Sequence, residues 1–471
     1  MTDAIETTEE LNVGAVATRD IDPDKVEISM VLRETQKTIT DWLDYSFNDN
    51  FLTPVCGFSF TVGGFGFRQL WDAGVRPGAR VSLRLAEHYV GDGYIDSLEI
   101  SADRGGGISA RIEGRDRLSY AVDSNARPKL AFKEGTTLGE AVKQILEPYG
   151  FSKIVIDNDA NVQLQTGVVS GIKYTKGGGK KGPKPLTSFV LHHSKPYPGE
   201  GAFAFAQRLA QRHGVWLWLS ADGESVIASR PNFDREPTHS LFRYIDGPSN
   251  VVGGSVKYDV GEQPTLIIAD GLGAGGEFGH SRLRAKMMNP ATNTDDPELP
   301  RVWIEYADAK IVEMGAVGTP MYVPKCRTVY LHDQSSQTPK QLENFVKREM
   351  SLAVRKSLQV SYTVLGHGQM VNDTFVPWAV DTMVAVDDEV AGLQETLWVV
   401  GRTFTRSRQN GTMTKLDLVR AHSLELGEAD AEQVAAKKPS KPRAKSEEQV
   451  REESAQLDAE ILANLRRAKY D

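Results

Sequence analysis

Between Arg80 and Asp116 the chain alternates between apolar and polar residues. Val81, Leu83 and Leu85 interleave with Ser82, Arg84 and Ala86, and Ile108, Ala110 and Ile112 interleave with Ser109, Arg111 and Glu113. A period of two puts one set on a buried face and the other in solvent. The stretch therefore predicts three antiparallel strands, the middle one running from Tyr94 to Ala102 with Ile95 and Ile100 near a core. Gly91-Asp92-Gly93 and Gly105-Gly106-Gly107 supply the bends, and the last strand stops at Gly114-Arg115-Asp116. Three strands with one apolar face need a partner layer, so the segment belongs to a barrel or a sandwich.

The same reading extends along the chain. Val26, Ile28 and Met30 alternate, as do Phe58, Phe60 and Val62, which predicts strand-like segments over 25–43 and 51–67. Thr137 followed three residues later by Glu140 is a capping box, and Leu138, Ala141, Val142, Ile145 and Leu146 form the apolar stripe of the helix it opens. A second helix covers 201–213, with Phe205, Leu209 and Ala210 buried and Gly214 as its C-terminal cap. A hairpin with an Asp222-Gly223 turn follows. A β region begins at Asn250. Thr338-Pro339 with Gln341 starts a third helix, and four strand candidates come after it, at 357–365, 382–387, 396–407 and 412–420. Asn410-Gly411 turns the last pair.

Composition narrows the class. The 471 residues are 40% hydrophobic and 25% charged, which suits two to four globular domains. No apolar run approaches the roughly 18 residues of a membrane span, so no stable membrane insertion is expected. The first residues lack an apolar core and a basic flank, which predicts no signal peptide. Cys56 and Cys326 are far apart and have no metal-ligand spacing. A net charge of −8 disfavours a protein that grips duplex phosphates.

Candidate chemistry is sparse. Gly171 to Pro185 is glycine- and lysine-rich but lacks the phosphate-loop spacing, and reads as an exposed basic loop. Gly271 to Gly276 fits G-x-G-x-x-G, yet no amphipathic helix follows. Asp157 to Asn161 begins like a calcium loop, with Val162 where glycine is needed and Val168 in place of the closing glutamate. His192-His193 is an adjacent pair, not a helical i,i+4 pair. No catalytic, metal or cofactor-binding residue is assigned, no cofactor is expected, and the chain is read as non-enzymatic. Ser446 to Asp471 is expected to form a last helix with a thin stripe of Val450, Leu457, Ile461 and Leu465, which suits docking to a partner.

The order of these elements resembles the baseplate hub proteins of contractile phage tails, the late-control D and VgrG-like group that includes the Mu-type hub. Gly93-Tyr94-Ile95-Asp96 and Glu113-Gly114-Arg115-Asp116 fit that family's paired strand signatures. Thr137-Leu138, Ala141, Ile145-Leu146, Pro148 and Gly150 fit its short helix. Its helix-hairpin unit is matched by Ala204-Phe205, Arg208-Leu209-Ala210, Arg212, Gly214-Val215, Leu217, Asp222-Gly223, Val226-Ile227 and Arg230-Pro231. Trp378 to Asp387 and Leu416-Asp417-Leu418-Val419-Arg420 match the end of its second barrel. The resemblance covers about residues 25 to 422.

It implies a mainly β fold with α+β inserts: two tail-tube-like β-barrel domains joined by small helix-hairpin modules. The expected divisions are a flexible arm at 1–24, a first barrel at 25–120, and insert modules at 121–248 with a helix at 137–149 and a helix-hairpin at 201–231. A second barrel at 249–425 carries a helix at 338–355, followed by a linker at 426–446 and a terminal helix at 447–471. The implied role is a homotrimeric adaptor in the virion tail baseplate, assembled in the host cytoplasm. Its implied partners are the tail tube protein, the central spike protein and other baseplate proteins, with DNA passing through the channel without specific binding. The alternative is a carbohydrate-binding or carbohydrate-active β protein, for which Trp216 and Trp218, on one strand face, are the aromatic candidates.

Overall fold

The structure is a computed structural model that describes residues 5–7, 22–64, 67–104, 107–130, 132, 136–156, 190–191, 195–212, 214–231, 233–272, 282–289, 310–311, 327–333 and 339–424. The chain divides into two units, Met1–Asp430 and Ala431–Asp471, and every described residue lies in the first.

The first β half contains β1 (Ile5–Thr7), β2 (Ile28–Leu32), β3 (Lys37–Ile39), β4 (Asp44–Asn50) and β5 (Gly57–Gly63). After helix α1 (Phe67–Ala73) come β6 (Arg80–Leu85), β7 (His88–Asp103) and β8 (Gly107–Asp116). The antiparallel meander read from the alternation is therefore present. Its first turn is not at Gly91–Gly93, which lies within β7, but at Ala86-Glu87, where Ala86 takes a φ of 50°. The glycines serve close packing instead: a Cβ on Gly93 would fall within 3.0 Å of the Arg115 carbonyl. Ala110 and Ile112 point inward as expected, whereas Ile108, near the hairpin end, is 44% exposed.

The insert comprises α2 (Ser119–Asp123), β9 (Thr136–Thr137), α3 (Leu138–Leu146), β10 (Ile154–Ile156), β11 (Val190–Leu191), α4 (Ala202–Arg212), β12 (Trp216–Leu219) and β13 (Val226–Ser229). Thr137 and Glu140 form the reciprocal capping box, and the five stripe residues of α3 are buried. Phe205, Leu209 and Ala210 of α4 pack in the same cluster. Gly214 ends this helix at a φ of 69°. A branched side chain is strained there, so Gly214→Val should cost about 1 kcal/mol or more, read as a lowered urea midpoint.

The second β half contains β14 (His239–Arg243), β15 (Val251–Tyr258), β16 (Leu266–Leu272), β17 (Arg282–Met288), β18 (Lys310–Ile311) and β19 (Thr328–Asp333). Helix α5 (Pro339–Arg355) leads to β20 (Leu358–Leu365), β21 (Gly368–Val371), β22 (Thr374–Pro377), β23 (Met383–Asp388), β24 (Leu393–Ser407) and β25 (Gly411–Arg420). Strands β16 to β19 form their own sheet, against which Leu342, Val346 and Met350 of α5 are buried. The cap at Thr338 lies outside the described residues.

Apart from β16 to β19 and the β21–β22 hairpin, the strands of the two halves form one sheet. Its order is β1-β3-β2-β6-β7-β8-β5-β4-β24-β25-β20-β15, with β14 and β23 branching from β24. One edge of β24 serves both halves: Leu393 to Trp398 pairs with β23, and Gly401 to Arg406 pairs with β4. The inner faces share a core, in which Phe47 stacks on Phe404 at 6.0 Å. His367 is fully buried there, 2.6 Å from the Tyr45 hydroxyl and 3.0 Å from Thr414 Oγ1, and burial pushes it down to about 3. It is therefore a neutral structural imidazole.

Candidate assembly surface and its internal joint

The insert docks on the first β half through the tip of its hairpin. Asp92, a buried residue of β7, accepts from Arg33 Nη2 at 3.0 Å, Arg80 Nε at 2.8 Å and Ser82 Oγ at 2.6 Å. Arg80 reaches on to Glu224 at 2.6 Å, and Arg117 donates to the Gly223 carbonyl at 2.5 Å. Gly223 itself, at a φ of 69°, leaves no room for a Cβ beside Asp92. The Asp-Gly turn thus does two things: it closes the hairpin and seats it on a charged socket.

A cavity of about 180 Å³ lies where the two β halves and the insert meet, between Asp49, Cys56, Asp116, Trp218, Ala379 and Arg402. Asp116 accepts from the backbone N–H groups of Cys56 at 2.8 Å and Leu118 at 2.9 Å. Burial nevertheless pushes its carboxyl up to about 7, with those donors opposing and Asp49 adding to the rise. Burial likewise pushes Asp381 up to about 7, against the pull of Arg235 and the Trp398 indole. The Cys56 thiol is pushed up by burial first and by Asp49 and Asp116 next. Its thiolate is disfavoured, which makes it a poor nucleophile.

These shifts have a testable sign. A carboxyl held protonated in the fold contributes stability that is whole below its unfolded value of 3.8 and is lost as pH rises through about 7. Wild type should therefore lose more stability between pH 4 and pH 8 than Asp116→Asn does, by on the order of 2–4 kcal/mol in urea titrations. Equal losses in the two proteins would show that Asp116 is ionised throughout.

A larger cleft of about 570 Å³ lies elsewhere, between Leu52, Tyr197, Phe203, Arg208, Trp216 and Phe345. The perturbed carboxylates do not line it. Its Glu200 is held by Arg208 Nε at 2.7 Å, and that guanidinium stacks 4.1 Å from the Tyr197 ring. Trp216 and Trp218 share a strand face, as their spacing implies, and that face turns inward on Phe51, with ring centroids 6.5 and 5.0 Å away. They are half-buried seam residues.

Val450, Leu457, Ile461 and Leu465 lie outside the described residues, as do His192-His193, the Asp157 to Val168 stretch, the 171–185 loop, Cys326 and Gly273 to Gly276. Gly271-Leu272 ends strand β16. Among the described residues no group of three His, Cys, Asp or Glu side chains could hold a metal ion, and no helix is long and apolar enough to cross a membrane. Sequence reading missed the socket residues Arg33, Arg80, Asp92 and Glu224 and the seam pair Asp49 and Arg402. The one available signal is Asp92 itself, a carboxylate between two glycines in a stretch that reads as a turn but lies within β7.

No protein-family model matches the chain, and no curated protein does. Solved structures do. The tail protein from Neisseria meningitidis MC58 superposes with a TM-score of 0.63 at 19% identity, covering 86% of this chain and 99% of that one. The 43 kDa tail protein of prophage MuSo2 from Shewanella oneidensis superposes with a TM-score of 0.59 at 16% identity, covering 85% and 99%. At such identities the likeness establishes the fold: this chain has the mainly β architecture of those two tail proteins along nearly their whole length.

Proposed function

We propose that the chain is a structural protein of a contractile phage tail, acting as the baseplate hub that adapts the sixfold tail tube to a threefold central spike. The observation that carries the reading is the fold shared with two tail proteins over 99% of each. Three copies would form a ring by heterologous contacts, each contributing two tube-like β halves. The ring would adjoin the tail tube protein, the spike and other baseplate proteins, and line part of the DNA conduit. A net charge of −8 suits a wall past which DNA slides. The role requires neither catalysis nor a cofactor. It places the protein in the virion tail baseplate after assembly in the host cytoplasm. The stripe of Val450, Leu457, Ile461 and Leu465 would dock on a neighbouring baseplate protein. The carbohydrate reading loses its motive, because Trp216 and Trp218 pack under Phe51.

Mass measurement in solution at micromolar concentration should find three chains. A single chain at every concentration, with no ring formed beside tube protein, would count against the hub.

A further inference from the structure

The chain crosses between the β halves and the insert twice, and a buried carboxyl stands at each crossing. Asp116 ends β8 at the entry, where its carboxyl accepts from the Leu118 N–H at 2.9 Å and its carbonyl from Ser119 Oγ at 2.7 Å. Arg235 lies at the exit, between β13 and β14, and donates to the Asp381 carbonyl at 2.9 Å. The two carboxyls differ in what they face. Asp381 has the Arg235 guanidinium 3.5 Å from its Oδ2 and Trp398 Nε1 3.1 Å from its Oδ1. Asp116 accepts from the main-chain N–H groups of Cys56 and Leu118 and forms no ion pair among the described residues.

The cavity beside Asp116 has no spare cation among the described residues. Its charged and titratable lining is Asp49 from β4, Cys56 from the segment before β5, Asp92 from β7 and Arg402 from β24. Arg402 is committed to Asp49 at 2.9 Å, and Asp92 to Arg33, Arg80 and Ser82. The insert lines it with residues 217–221 and the second β half with Ala379, Val380 and Thr382, none of them charged. Beyond the lining, Arg117 turns to the Gly223 carbonyl, Glu224 to Arg80, and Arg115 to Asp96 and Asp123. A negative charge on Asp116 therefore sits among two other carboxyl groups with no guanidinium free to meet it, and water is left to solvate it.

On the insert side the cavity is bounded by an aromatic contact. Trp216 Nε1 donates to the Phe51 carbonyl at 3.1 Å, and the Phe51 ring lies against Trp216 and Trp218. These contacts can part without stranding a charge, whereas the Arg235–Asp381 crossing gains from a charge on its carboxyl. We infer that this seam is a proton-operated latch: with Asp116 neutral, β12 is seated on Phe51, and with Asp116 charged it lifts and admits water to the cavity, pivoting on the charged socket at the hairpin tip and on the Arg235–Asp381 crossing. Burial sets the working range, since it pushes Asp116 up to about 7.

Solvent exchange of the Trp216 indole N–H tests it, because that bond spans the seam. The full chain is labelled at its tryptophan indole nitrogens, and the Trp216 signal is assigned with Trp216→Phe. Each rate is divided by that of the urea-unfolded chain at the same pH. The corrected rate should be at least about tenfold faster at about pH 8.5 than at about pH 5.5, levelling off above about pH 7. In Asp116→Asn it should change by less than about twofold over the same range. Low urea should leave the wild-type rate unchanged, the mark of a local opening that exposes little surface. A wild-type rate flat with pH would overturn the latch, since the cavity would then hydrate the charge without moving. A pH step that persists in Asp116→Asn would assign it to another group and overturn it too. A rate that climbs with urea as steeply as global unfolding would mean that the whole fold opens, and not the seam. Should Asp116→Asn fail to fold, the wild-type pH step and its response to urea decide the matter by themselves.

Discussion

Gly93→Val should destabilise the protein by about 3 kcal/mol or more, among the largest effects of any single substitution in the first β half. Strands β7 and β8 approach so closely that Gly93 lies against the Arg115 carbonyl, and Gly114 against the Tyr94 carbonyl and the Phe58 ring. Any Cβ at these two sites would fall within 3.0 Å of a main-chain oxygen, which cannot move without breaking the ladder. Equilibrium urea unfolding checks this, with Gly57→Ala as the control. Gly57 also lies in a strand of the same sheet, but nothing is within 4 Å of its Cβ position, so the change there should stay within about 0.5 kcal/mol. Comparable losses at both positions would mean that strand entropy, and not close approach, sets the cost.

Arg402→Met should cost about 3–5 kcal/mol. The guanidinium sits in the seam between the β halves with its side chain 5% exposed, 2.9 Å from Asp49, whose side chain is 13% exposed. It also donates to the carbonyls of Trp378 and Val90 and lies 4.8 Å from the Phe404 ring. Removing it strands a carboxylate and two carbonyls inside the protein. Adding Asp49→Asn to the variant should recover part of the loss, because the unpaired charge is then gone. A double variant no more stable than Arg402→Met would assign the cost to the carbonyls and the packing instead.

Strands whose alternation was strong were legible from sequence. β6, β8, β20, β23, β24 and β25 were all expected within a few residues of where they lie. So were the capped helices, because Thr137, Glu140 and Gly214 act through bonds within a few residues of themselves. β4 was not legible. Its DYSFNDN sequence alternates Tyr45 and Phe47 with polar residues, but aspartate and asparagine have low strand propensity and masked the signal. The Asp92 socket was hidden for another reason: the partners of Asp92 come from residues 59 and 12 positions before it, and one of them, Arg80, reaches on to Glu224 far after it. Such clusters exist only once distant segments meet. Glycines were visible, but their purpose was not, since a turn and a close crossing call for the same residue.

The pairing of β4 with β24 joins Tyr45 to Arg406 and Asn50 to Gly401. During synthesis the first β half emerges long before the strand that completes it, so β4 must wait as an open edge while some 350 further residues are made. Its asparagines and aspartates, which obscure it to sequence reading, are also residues that resist wrong partners along such an edge. The amino-terminal half made alone would carry that edge permanently. It should sediment as aggregates unless the segment containing β24 is supplied in trans, in which case the two pieces should form one soluble complex.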